Sequence, residues 1–321
     1  MTTETRPSPL PELGRYGPRL GPTPLVPLRL DEPDAPAPIW CKLEFLNPSG
    51  STKDRIARYM LEKAWREGKI GPGARVIEAS SGSTSIALAL ACAQLGLRFT
   101  AVMPAGVSSE RVWMIKAYGG EVALIDRGAG IAGAIAEAEA LAHRQGAFAT
   151  RQFTNPDNAE AHRRGTGREV VEQIPGRVVD AVACGVGTGG TIVGLHGAFC
   201  DGGCEVVPVL ARPVSYGTFA DAECCSFSTR VPGVVEGIPT LFTAAHLPGL
   251  VEVEIDDELA LATTRRLHAR GFPVGPSSGL NYAAAAAIAR RLGPKAQVVT
   301  VFPDRMERYF STELFAGVRG G

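Results

Sequence analysis

No run of apolar residues in this chain of 321 approaches the roughly 18 needed to cross a membrane, so no transmembrane segment is expected. The opening stretch MTTETRPSPLPELGRYGPRLG lacks the apolar centre of a secretion signal, and a cytoplasmic location is expected. Net charge is also lacking: 33 basic residues balance 33 acidic ones. That removes the usual electrostatic footprint of a nucleic-acid binder. No disulfide framework is visible. The seven cysteines (Cys41, Cys92, Cys184, Cys200, Cys204, Cys224 and Cys225) are odd in number and scattered, which suits a reduced compartment. CDGGC at 200–204 and the Cys224-Cys225 pair invite a metal, but the five histidines show no ligand spacing near them, and none is expected. Lysine is scarce, with six in the whole chain. One of them, Lys53, stands in NPSGSTKDR at 47–55, among small turn-forming residues and at the start of a helical pattern. A solvated lysine at a helix start is the ordinary reading of such a residue. A lysine held for covalent chemistry is the sharper one.

What is present is the composition of a globular α/β protein. Apolar residues make up 45% and charged residues 21%. Strand-like runs alternate with helical ones: PIWCKLEF then KDRIARYMLEKAWREG, ARVIEAS then TSIALALACAQLG, RFTAVMP then SSERVWMIKAYGG, EVALID then AIAEAEALAHRQG. DAVACGVG, TIVGLHGAF and EVVPVLA follow, and the chain closes with DDELALATTRRLHARG, LNYAAAAAIARRLG and QVVTVFP. Short β-branched runs between amphipathic helices predict βαβ units, with mostly parallel sheets covered by helices on both faces. The units are too many for one small sheet, so two α/β domains are expected. The stretch 217–249 is long and irregular, as functional or interfacial loops are.

Four loops rich in Gly, Ser and Thr fall at strand ends or helix starts: NPSGSTKDR, EASSGSTS (78–85), GVGTGGT (185–191) and GPSSG (275–279). Ligands of parallel α/β folds bind at the carboxyl ends of strands, and helix starts present free N–H groups to anions. GVGTGGT follows an apolar strand and suits a phosphate. It also fits G-x-G-x-x-G, whose dinucleotide reading wants an acid after the next strand. EVVPVLA ends at Arg212-Pro213 without one, although Arg212 suits a 2′-phosphate. A Walker A lysine is missing. GPSSG matches the hydrolase nucleophile elbow, but that order demands a histidine after the serine, and the last one, His268, precedes Ser277. A plain N-cap role for Ser277 stays open.

PSGSTKDR, QFTNPDNAEAHRRGTGREV (152–170) and GTGGT (187–191), in this order, resemble the cysteine synthase and cystathionine β-synthase family. The likeness runs from GPTPLVPL at 21–28 to PDRMERYFSTELF at 303–315. It implies the pyridoxal phosphate (PLP) fold type II, similar to the tryptophan synthase β subunit: two domains, each a mostly parallel twisted sheet with helices on both faces. The implied division is 46–150, carrying Lys53 and the substrate loop, against 1–45 plus 151–321, carrying the phosphate loop. By the same resemblance Lys53 forms the Schiff base with the cofactor. Gly187, Thr188, Gly189, Gly190 and Thr191 hold its phosphate, and Ser277 meets the pyridine nitrogen. Ser80, Ser81, Thr84 and Gln152 take the α-carboxylate of the amino acid.

The implied activity is β-replacement on an O-activated L-serine, O-acetylserine or O-phosphoserine, with sulfide or another nucleophile. The product is L-cysteine or a β-substituted alanine. A cysteine β-lyase (desulfhydrase) is the alternative, and a non-catalytic regulatory relative the remote one. A homodimer is implied. The chain departs from the family at several places. Ser83 stands where the family has an asparagine that touches the cofactor's ring hydroxyl, and Ser85 replaces a glycine. Pro239 ends VEGIP where EGIG is common. Arg305 and Met306 replace small residues in PDRMERY.

Overall fold

The computed structural model describes residues 20–30, 37–214, 230–232, 234, 241 and 246–319. In chain order the regular elements begin with β1 (Leu25–Leu28), β2 (Ile39–Lys42), α1 (Lys53–Arg66), β3 (Arg75–Ala79) and α2 (Ser83–Leu95). Next come β4 (Arg98–Pro104), α3 (Ser109–Ala117), β5 (Glu121–Ile125), α4 (Gly130–Gln145) and β6 (Phe148–Ala149). Then follow α5 (Asp157–His162), α6 (Arg168–Gln173), β7 (Ala181–Cys184), α7 (Gly190–Asp201) and β8 (Val207–Val214). The last are β9 (Val251–Asp256), α8 (Asp257–Ala269), α9 (Pro276–Leu292), β10 (Val298–Val301) and α10 (Ala316–Arg319).

The strands form two sheets, one of six in the order β1-β2-β10-β7-β8-β9 and one of four in the order β5-β4-β3-β6. Every pairing is parallel except β1 with β2. Central strands such as AVAC and VVTV are buried throughout, as continuous apolar runs in a doubly covered parallel sheet must be. One core packs α8 and α9 on the large sheet through Ala260, Leu267, Leu280 and Ile288. Another packs α7 on its opposite face through Ile192, Leu195 and Phe199. The small sheet is covered by α1 and α2 on one side and by α4 on the other. Along α1, Ile56, Ala57, Met60, Leu61, Ala64 and Trp65 are buried at helical spacing, so one stripe of that helix faces the core.

Two sequence expectations need correction. The last long helix starts earlier than LNYAAAAAIARRLG: Gly275 is its N-cap, Pro276 opens it, and Ser277 lies inside the first turn instead of capping it. Proline at the first helical position explains the shift, because its fixed φ suits the helix and its missing N–H is not needed there. β8 also continues through Arg212-Pro213 to Val214. Arg212 is paired with Glu254 and Glu252 of β9, so the cation that favoured a 2′-phosphate is already neutralised. Most of the stretch 217–249, with Cys224, Cys225 and Pro239, lies outside the described residues.

Candidate active site

Loops that follow β2, β3, β4, β6, β7 and β10 converge on one cleft of about 320 Å³, at the carboxyl ends of those strands. Lys53 enters it from the first residue of α1. Thr52 N–H donates to the Pro303 carbonyl (2.7 Å), and Ser51 bridges Asp304, so the turn carrying Lys53 is clamped to the segment after β10. The Lys53 amine makes no hydrogen bond or ion pair with any described residue. Burial by the cleft walls lowers its pKa, against the opposing pull of Asp304, Glu44 and Cys184. Cys184, at the end of β7, is pushed up to about 12 by burial and stays a thiol.

The loop after β3 is braced by one of its own hydroxyls. Ser80 Oγ accepts from Gly82 N–H (3.1 Å) and Ser85 N–H (3.2 Å) and lies 2.7 Å from Ser85 Oγ. Thr84 Oγ1 donates to Gln152 Oε1 (2.6 Å), and Gln152 Nε2 donates to the Ala79 carbonyl (2.7 Å). Ser81 is exposed at the mouth. Gly82 has φ 148°, a conformation that favours glycine, and a Cβ there would stand 2.3 Å from Cδ of Arg111. That arginine, buried on α3, donates from Nη1 to the Ser81 carbonyl (3.0 Å) and lies 5.2 Å above the Tyr309 ring. Ser83 Oγ donates to Asp304 Oδ2 (3.2 Å), which also accepts from the Tyr309 hydroxyl (2.7 Å).

On the facing wall, Gly187, Thr188, Gly189 and Thr191 line the cleft where β7 turns into α7. Gly190 is the first residue of α7 and does not line it. Its role in packing is plain: a Cβ would meet Asn158 Oδ1 at 1.9 Å. Asn158 Nδ2 donates both to Thr188 Oγ1 (2.9 Å) and to the Gln152 carbonyl (2.8 Å), tying the glycine turn to the segment after β6. His162 Nε2 lies 3.3 Å from Thr191 Oγ1, and its Nδ1 lies 3.0 Å from Thr166 Oγ1 within a π-helical turn, Arg163–Gly167. Burial and the nearby cations Lys53 and Arg55 hold this imidazole neutral, well below its usual pKa. Ser277, half-buried in the first turn of α9, faces the cleft and makes no hydrogen bond with any described residue.

The cleft therefore gathers Lys53, Ser80, Ser81, Ser83, Thr84, Gln152, Gly187, Thr188, Gly189, Thr191 and Ser277, with Gly190 just behind. Four further residues, Arg111, Asn158, Asp304 and Tyr309, were missed from sequence. Asp304 and Tyr309 lie in the same PDRMERY stretch whose Arg305 and Met306 stood out as unusual. Asn158 lies in NPDNAEAH, where a polar residue at a helix start reads as ordinary capping.

Fold and cleft together define a class: an α/β enzyme whose cleft holds an unpartnered amine and a glycine-rich turn at a helix start, the kind of turn that suits an anion. The chain belongs to the pyridoxal-phosphate dependent enzyme family, whose model matches residues 17–304. It is 38% identical to a cysteine synthase of Staphylococcus aureus over 305 residues, covering 92% of this chain and 95% of that protein. Among solved structures it is similar to O-ureido-L-serine synthase, with TM-score 0.83, 34% identity and 94% of each chain covered. It is also similar to a hydrogen sulfide-producing enzyme of Fusobacterium nucleatum, with TM-score 0.79 and 31% identity, covering 90% of this chain and 97% of the other. Pyridoxal phosphate is the cofactor of the family, and the residues present fit it. The amine of Lys53 and the hydroxyl of Ser277 are both uncommitted, and the glycine turn leaves backbone N–H groups open at the start of α7.

Proposed function

We propose that the protein catalyses β-replacement on an O-activated L-serine, O-acetylserine or O-phosphoserine, with sulfide or another nucleophile. The product is L-cysteine or another β-substituted alanine. The observation that carries this reading is the uncommitted Lys53 amine, facing the glycine turn and the hydroxyl-rich loop within one cleft. Bound pyridoxal phosphate supplies the electron withdrawal that lets the α-proton and the β-leaving group depart. In this reading Lys53 Nζ would hold the cofactor and would serve as the base for the α-proton. Gly187, Thr188, Gly189, Gly190 and Thr191 bind the phosphate. Ser277 meets the pyridine nitrogen with a neutral hydroxyl, which does not enforce a charged ring and so favours elimination over long-lived carbanion chemistry. Ser80, Ser81, Thr84 and Gln152 would bind the substrate carboxylate, and Ser83 would help hold the cofactor. The same reading divides the chain into a unit at 46–150 and a larger one at 1–45 plus 151–321. It takes the protein to be a cytoplasmic homodimer.

Protein supplied with pyridoxal phosphate is expected to show a visible absorbance band that Lys53→Ala lacks. Survival of the band in that variant would sink the role given to Lys53. With O-acetylserine and sulfide, L-cysteine is expected to accumulate. Rapid pyruvate and sulfide release from L-cysteine alone would instead support a β-lyase, the reading favoured by likeness to the sulfide-producing enzyme.

A further inference from the structure

Two opposite charges in the cleft lack partners. Asp304 is 6% exposed, and its Oδ1 is buried without a hydrogen bond. Its Oδ2 accepts only from the neutral hydroxyls of Ser83 and Tyr309, and no cationic side chain among the described residues forms an ion pair with it. Lys53 makes no ion pair either, and both residues line the same cleft. The β-bridge between Ser51 and Asp304 brings the two stretches side by side, with Lys53 two residues further on. Gly275 makes room for the carboxylate, because a Cβ there would meet Asp304 Oδ1 at 2.4 Å.

We propose that Asp304 is a positioning residue for the reaction: it is the counter-charge that keeps the nitrogen of Lys53 protonated when that nitrogen is joined to the cofactor. This rests on the reading of Lys53 given above. The other ionisable groups facing Lys53 do not compete for the role. Glu44 is committed to Arg55 through a 2.8 Å ion pair, Cys184 is a thiol, and His162 is a neutral ring. On the side of Asp304, the Arg308 guanidinium is turned to the Ser49 carbonyl (2.5 Å), Arg111 to Ser81, and Arg305 to Glu307. Burial and the Asp304 charge also push the Tyr309 phenol up, so it remains a neutral donor to the carboxylate. An opposite charge in the same buried cleft raises the pKa of a cation, and a protonated nitrogen at that position is the stronger electron acceptor.

The test is a spectral titration of the cofactor-loaded protein, following the visible band against the near-ultraviolet band. Asp304→Asn is expected to lower the midpoint by about one pH unit or more. Asp304→Glu keeps the charge and is expected to restore the midpoint. Tyr309→Phe removes one donor from the carboxylate and concentrates its charge, so its midpoint is expected to rise. If Asp304→Asn does not fold, the Tyr309→Phe titration still decides. An unshifted midpoint in Asp304→Asn, or a fall in Tyr309→Phe, overturns the proposal. Absence of the visible band from the unmodified protein would instead overturn the role of Lys53 itself.

Discussion

Gly190 shows how much one missing side chain carries. An added Cβ would drive Asn158 away and break its bonds to Thr188 and to the Gln152 carbonyl together. Each such bond contributes about 1 kcal/mol, so their joint loss from the turn proposed to hold the phosphate is worth about tenfold in binding or more. Gly190→Ala is expected to bind pyridoxal phosphate at least about tenfold more weakly, as read by equilibrium dialysis. An unchanged Kd would show that Asn158 does not hold the turn in its binding shape. At this scale the sequence was partly legible. Lys53 and the glycine turn stand out only together, because four small-residue loops at strand ends and helix starts point to one anionic ligand where a single loop would not. Asp304 does not, because its meaning depends on Ser83 and Tyr309, and Ser83 is distant in the chain.

Among the elements, α1 is bound to its neighbours by a buried set of charges. Arg55 pairs with Glu44 at 2.8 Å and with Glu169 at the start of α6, and Lys42 of β2 reaches Glu169 at 2.8 Å. Glu44 is fully buried, and although burial pushes its pKa up, the Arg55 charge prevails and holds it ionised. Arg55→Ala strands that carboxylate, and a loss of about 3–5 kcal/mol is expected from denaturant unfolding. The exposed pair of Arg168 and Glu172 on α6 is worth at most about 1 kcal/mol and serves as the comparison. If the two variants lose equally little, the buried set is not what docks α1. Strands and helices themselves were readable, because parallel strands covered on both faces must be continuous apolar runs. The start of α9 was misread, since an alanine-rich run draws attention from the Gly-Pro pair that opens the helix one turn earlier.

For the molecule as a whole, acidity acts through Glu78. Burial lifts this carboxyl to about 7, although Thr150, Gln152 N–H and Ala79 N–H all donate to it. The unfolded chain releases the same proton near pH ~4.3. Between those values the folded state binds more protons, so this group's contribution to stability falls as pH rises through the window and levels off above it. Asp54, lifted by burial to about 6, adds a slope of the same sign. Urea midpoints measured from pH 5 to 7 are expected to decline more steeply in the unmodified protein than in Glu78→Gln. Equal slopes would remove Glu78 from the account. Nothing in EASSGST marks this glutamate from sequence, because its burial is produced by the neighbouring strands and by the segment that returns after β6.

The order of strands also governs how the chain comes together as it is made. All four strands of the small sheet lie within residues 75–149, so that sheet has every partner once β6 has been synthesised. The large sheet is different. β10 lies between β2 and β7, joining the first strands made to the later ones. Until β10 leaves the ribosome, β1 and β2 form a two-stranded ribbon with an open edge, cut off from the rest of their sheet. Lys53 is synthesised early, yet the Asp304 wall that faces it follows β10. The cleft is among the last features of the protein to exist.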